Sequence, residues 1–360
     1  MNWTIRTHSS MQFNLFTRQN VERTAQALQK AGQEVATGRK ADVYAELGAR
    51  SASVMKLRIR EADTQTYMQS NDLIANKLSL TINAMDKMRD TVQRVLETTF
   101  FDTSQSGTGT GLLQANARAA LDEVISLMNL NFNGEHMFAG LSSEVSPLKE
   151  WDETNPDTGL SPEDVIGGIV GSGPTNLADV ASMKAQLDTI FASANTGAPE
   201  QNFEETFYIG TKAADAGGSP NRRVTAWVAS GQQLEYGVQA NDTPVREVYQ
   251  GLAMLVSVDL SQMDVDTYRA WMDEVGAILA QGMEGLLRIS TKTGFNQEVV
   301  EKAQIQLNDL SLVQRNMITD YENVDPYEAI TEMTNLERQL EATYQITSRL
   351  SGLSILNFLR

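Results

Sequence analysis

Two histidines, His8 and His136, and no cysteine make up the whole stock of imidazole and thiol chemistry in this chain. Disulfides, thiolate metal sites and cysteine nucleophiles are removed in one step. A metal ion would have to be held by carboxylates. Asp152, Asn155, Asp157 and Gly159 come nearest to a calcium loop, but the alternating oxygen ligands and the closing glutamate are out of register, so the stretch reads as an acidic loop. Two glycine-rich runs, GTGTG at Gly107–Gly111 and GGIVGSGP at Gly167–Pro174, complete neither a G-x-G-x-x-G nor a Gly-Lys-Ser/Thr spacing. Ser172 lies in GSGP, which is not the G-x-S-x-G of a nucleophile elbow. Nothing in these residues calls for an enzyme, a cofactor or a bound metal.

Composition narrows the classes further. The chain has 360 residues and a net charge of -17, with 46 acidic against 29 basic side chains. Such a field repels phosphate, which argues against nucleic acid as a partner. A mean hydropathy of -0.30, with no apolar run near the ~20 residues of a membrane span, argues against membrane insertion. The opening MNWTIRTHSSMQFNLF has no apolar stretch followed by small residues, so no cleaved secretory leader is expected there.

Helical periodicity organises the rest. From Met11 to Thr37, Val21, Leu28 and Val35 fall seven apart, and the segment as a helix would be about 40 Å long. At the other end, Pro326 opens a stretch in which Leu336, Leu340, Leu350, Leu353 and Leu356 mark an apolar seam with heptad-like spacing. These eight residues are the candidate interface. The same pattern also suits two core helices of a bundle. Arg18, Arg23 and Lys30 on the first segment face a more acidic last one, with Glu328, Glu332, Glu337 and Glu341.

Between them the period predicts one long helix from Ala49 to about Thr99, a turn over Gln105–Gly111, and a second helix carrying Leu113, Ala117, Ala120, Val124 and Leu127. Six of the eight prolines lie between Ser142 and Asp242. That segment predicts one helix around Val180–Phe191 and strands at Phe203–Ile209, Val224–Val228 and Leu234–Val238. Helices return over Thr243–Val258, Val265–Ser290 and Gly294–Tyr321. The expected fold is mainly α, a long antiparallel helical bundle or coiled coil of N- and C-terminal segments with a small inserted α+β domain. The expected domains are 1–40 with 324–360 (terminal coiled coil), 41–141 with 243–323 (helical rod) and 142–242 (insert).

Three short stretches carry a resemblance. QEVATGRK (Gln33–Lys40), GEHMFAG (Gly134–Gly140) and LSILNFL (Leu353–Leu359) resemble, in order and position, the flagellin superfamily, and within it the hook-associated proteins of the hook-filament junction. The likeness covers roughly the first 145 and last 115 residues. ATGRKADVYAELGARSASV departs from the usual flagellin signature at that place, which weakens the subgroup more than the superfamily. The resemblance implies an extracellular structural protein of the bacterial flagellum, secreted through type III export without a cleaved leader. It implies a homo-oligomeric ring between a sister hook-associated protein and flagellin, seeding filament assembly, and an export chaperone. A flagellin-like filament subunit, and a leaderless effector or enzyme with a site in the insert, are the alternatives.

Overall fold

The computed structural model describes residues 10–101 and 107–358, with side chains over 15–97 and 110–349. In chain order it has α1 (Ser10–Thr37), α2 (Val43–Leu47), α3 (Ser51–Phe101), α4 (Gly107–Met128), β1 (Asn131–Phe132), β2 (Glu135–His136), α5 (Pro162–Val170) and α6 (Leu177–Phe191). Then come β3 (Thr225–Ala229), β4 (Gln232–Glu235), α7 (Thr243–Val256), α8 (Val265–Glu322) and α9 (Pro326–Phe358). The protein is mainly α, with long packed helices and two small antiparallel hairpins. It divides into two compact units: residues 1–65 with 308–360, and residues 66–307.

In the first unit, α1 and α9 pack against each other. Pro326 sits at the first position of α9, where its missing N–H costs nothing, and the Asp325 carboxylate accepts the Tyr327 N–H at 2.8 Å. Asp42 caps α2 in the same way, accepting from Ala45 N at 3.0 Å. The α3 and α8 segments of this unit meet through polar side chains. Thr64 bonds to Gln314 at 3.2 Å, Gln65 to Ser311 at 2.9 Å, and Arg315 to Glu61 at 2.9 Å.

The second unit is built on a continuous apolar core. It runs from Met85, Met88 and Val92 on α3 through Leu121 and Val124 on α4 to Val248 and Leu252 on α7 and Trp271 and Leu279 on α8. Gly251 of α7 and Gly282 of α8 allow this close packing: a Cβ on Gly251 would lie 2.6 Å from Leu279, and one on Gly282 would lie 2.8 Å from Val248. Residues 142–242, expected as a separate insert, join the same core through Trp151, Phe191, Phe203 and Phe207, which surround Tyr249 of α7 at ring separations of 5.7–6.4 Å. The β3–β4 hairpin lies on a smaller cluster of Ile74, Leu78, Val300 and Ala303 through Val228. Asn71 and Asn296 tie it down by donating to the Val228 and Glu235 carbonyls.

Several local expectations are corrected. Phe203–Phe207 is a single π-helical turn, not a strand, because both phenylalanines enter one core rather than alternating between faces. Gly107–Gly111 opens α4 rather than forming the turn; Gln105 and Ser106 lie outside the described residues. Gly294 does not separate two helices. It lies inside α8, where Val300 and Ala303 are buried and Asn296 is anchored, contacts that outweigh the ~1 kcal/mol cost of a mid-helix glycine. Asn133 and Gly134, both with positive φ, form the two-residue turn of the β1–β2 hairpin. A further helix, α5, starts on a capping box between Ser161 and Asp164, a signal the sequence carries as SPED.

Candidate assembly interface

α1 and α9 run antiparallel, since Arg39, two residues past the end of α1, forms an antiparallel bridge with Asn323, three residues before the start of α9. Val21, Leu28 and Val35 on α1 are half-buried, and Ala31 among them is buried. On α9, Leu336 and Leu340 are half-buried, together with Met333, Thr343 and Thr347. Leu350, Leu353 and Leu356 fall on α9, but their side chains lie outside the described residues. The helices carrying the expected seam residues thus pack within one chain.

Two helices lying side by side cover one stripe of each. The remainder shows the surface left for other molecules. Leu15 and Phe16 of α1 are exposed, as are Tyr327, Ile330, Tyr344 and Ile346 of α9. Arg18, Arg23 and Lys30 are exposed on α1, and Glu328, Glu332, Glu337 and Glu341 on α9; among the described residues no ion pair joins the two helices. The α3 and α8 segments of the same unit bury several polar side chains as well as the apolar Val54, and leave several apolar ones exposed. Thr64, Ser311 and Gln314 are buried, whereas Met55, Ile59, Leu310, Val313 and Met317 are exposed. Leu310, Val313 and Met317 continue the helical spacing of the buried Val300, Ala303 and Leu307. The signal that separates them is the threonine, serine and glutamine at the facing positions.

Where α1 and α9 end against α2 and α8, the backbone interlocks. Lys40 N donates to the Glu322 carbonyl at 2.8 Å and Val324 N to the Gly38 carbonyl at 3.1 Å. Gly38 takes φ 69°, a region that suits glycine. The Glu34 carboxylate accepts from Ala41 N at 2.9 Å. Glu322, with its side chain 5% exposed, receives Arg58 twice, from Nη2 at 2.5 Å and Nε at 3.0 Å, and Arg58 Nη1 also reaches the Tyr44 hydroxyl at 3.4 Å. The Glu322 carboxylate pushes the Arg58 guanidinium above its ordinary range.

The remaining polar candidates serve the fold. The His136 ring lies 3.0 Å from the Asn129 carbonyl through Nδ1; His8 lies outside the described residues. Asn155 of the acidic loop is buried and donates to the Glu205 and Thr206 carbonyls while accepting from Asp157 N, so its amide is a staple of that loop. Among the described residues no cluster of three His, Cys, Asp or Glu side chains is placed to hold a metal. A cleft of about 340 Å³ beside β4 is lined by Arg223, Asp242, Lys292 and Asn296, and its guanidinium is already paired with Asp242 at 2.6 Å. No helix among the described residues is long and apolar enough to cross a membrane.

Comparison with known proteins fits this helical architecture. Residues 9–143 match the bacterial flagellin N-terminal helical region, and residues 277–359 the bacterial flagellin C-terminal helical region. No curated protein matches the chain. Among solved structures, one provisionally described as a flagellar hook-associated protein from Vibrio parahaemolyticus shares the fold with a TM-score of 0.50 at 11% identity, over 76% of this chain and 97% of that one. By its two ends, in the order and places the fold requires, this chain carries both helical regions of bacterial flagellin.

Proposed function

We propose that this protein is a structural subunit of the bacterial flagellum that joins the hook to the filament and seeds filament growth. The observation that carries a structural role is the pairing of α1 with α9 beside exposed apolar side chains, within end regions of flagellin type. A single chain leaves Tyr327, Ile330, Tyr344, Leu15 and Phe16 in water, and neighbouring subunits in a tube would cover them. Exposed basic residues outnumber acidic ones on α1 (Arg18, Arg23 and Lys30 against Glu22), and acidic ones outnumber basic on α9 (Glu328, Glu332, Glu337 and Glu341 against Arg338 and Arg349), a balance that suits contact between the α1 of one subunit and the α9 of the next. The half-buried seam residues Val21, Leu28, Val35, Leu336 and Leu340 then hold each helical pair together. The unit formed by residues 66–307 holds the large mixed core. The GEHMFAG stretch (Gly134–Gly140) supports the junction reading over the filament. On this reading the subunits form a ring between a sister hook-associated protein and flagellin. They leave the cell by type III export with the help of a chaperone.

Immunogold electron microscopy of intact flagella, with antibody raised against residues 142–242, tests the reading. A short band at the hook-filament boundary is expected. Label along the whole filament would replace the junction role with that of a filament subunit. Absence from every flagellum would overturn both.

A further inference from the structure

We infer that Arg58 and Glu322 form a latch that fixes the angle of the α1/α9 pair at a double elbow in the first unit. The two helices lose their regular course at the same level. α1 ends at Thr37 and α8 at Glu322, and the segments that follow them bond to each other through Lys40 N to Glu322 O and Val324 N to Gly38 O. These two backbone bonds hold register across the elbow, and the Glu34 carboxylate adds a third hold by accepting from Ala41 N. Glu322 is where the elbow meets the paired α3 and α8 segments. Its carbonyl holds the elbow and its carboxylate holds α3 through Arg58.

The neighbours of the latch point the same way. Arg58 also reaches Tyr44 of α2, the short helix that immediately follows the elbow, so one guanidinium ties α2 and α3 to the end of α8, whose last carbonyl holds the elbow. The other rungs between α3 and α8 in this unit, Glu61–Arg315, Thr64–Gln314 and Gln65–Ser311, lie farther along the helices from the bend. They hold the pair together without touching the elbow. The carboxylate at the latch is 5% exposed, against 21% for the Glu61 carboxylate of the adjacent rung. Opening the latch therefore strands a charge, and closing it removes one bending freedom. This device acts in the isolated subunit and does not rest on the flagellar role.

The test uses the full-length chain, whose lack of cysteine allows clean labelling. Spin labels on Lys30→Cys of α1 and Lys56→Cys of α3, both exposed positions, report the angle through their distance distribution. A single narrow distribution is expected for the parent. Arg58→Ala, and Glu322→Leu, which removes the charge without stranding one, are each expected to broaden it at least twofold while helical ellipticity is retained. Arg315→Ala is expected to leave it unchanged. If Arg58→Ala loses ellipticity, Glu322→Leu decides. Lys40→Pro, which deletes the elbow's backbone donor, is expected to broaden the distribution as well. An unchanged width in Glu322→Leu, or equal broadening in Arg315→Ala, would overturn the latch.

Discussion

Arg58 and Glu322, 264 residues apart in the chain, meet with Nη2 2.5 Å from Oε1, and the two partners are unequal: the arginine side chain is 46% exposed and the glutamate 5%. That asymmetry sets the cost of removing each. Arg58→Ala leaves a carboxylate buried without its cation and is expected to lower stability by about 1–3 kcal/mol or more. Glu322→Leu leaves an arginine that water can reach and is expected to cost less than 1 kcal/mol. Urea denaturation of the two variants side by side measures the difference. Equal costs would mean the carboxylate is solvated after all.

A second relationship in the same unit is sensitive to pH. Desolvation and a hydrogen bond with the Glu34 carboxyl hold the pKa of the exposed Glu46 side chain above its ordinary 4.5, against the opposing pull of Lys40 and the Asp42 backbone. The folded protein therefore binds the Glu46 proton more tightly than the unfolded chain does. This contribution to stability is full below pH 4.5 and is lost as pH rises through the raised value. Glu46→Gln should melt higher than the parent at pH 7, with the advantage shrinking as pH falls toward 4.5. A constant difference across that range would remove Glu46 as the titrating group.

Tyr249 stands among four aromatic rings with its hydroxyl buried and unpartnered among the described residues. Burial pushes its phenol far above the usual range, so it stays neutral. Tyr249→Phe removes an unsatisfied group and is expected to raise stability by about 1 kcal/mol. Phe203→Ala opens a cavity in the same cluster and is expected to cost about 3–5 kcal/mol. Denaturation midpoints with unchanged slopes check both.

Gly251 sets a sign that helix propensity gets wrong. Alanine in mid-helix is favoured over glycine by about 1 kcal/mol. At this position, however, the added Cβ would lie 2.6 Å from Leu279 on the packed face of α8. Gly251→Ala is expected to destabilise by about 1–3 kcal/mol, and thermal unfolding reads the sign directly.

The outer and inner faces of α9 separate assembly from folding. Ile330→Asp changes an exposed residue and is expected to shift stability by no more than about 0.5 kcal/mol while lowering incorporation into flagella. Leu340→Asp places a charge in the half-buried seam and is expected to loosen the α1/α9 pair as well as block incorporation, with the unit of residues 66–307 still folded. Circular dichroism beside a motility assay distinguishes the two. Normal motility in both variants would remove α9 from the interface.

Local sequence determined what depends on spacing alone. The period of α3, α4, α7 and α9, the proline that opens α9 and the glycine after α1 are all legible because a helix writes its face every three or four residues. The lack of cysteine and the acidic balance are legible for the same reason: they need no partner. Tertiary structure decided what lies opposite each face. Val300 and Val313 carry the same period on α8, yet the first is buried beside Ile74 and Leu78 and the second is exposed. Phe203 and Phe207 looked like strand residues until Phe191 and Tyr249 supplied one common core for both. Gly294 looked like a helix end until the β3–β4 hairpin anchored that stretch of α8. The pairing of Arg58 with Glu322 has no local signature at all. Burial and ion pairing are set by residues hundreds of positions away, and a one-dimensional pattern records a side chain's direction but not its neighbour.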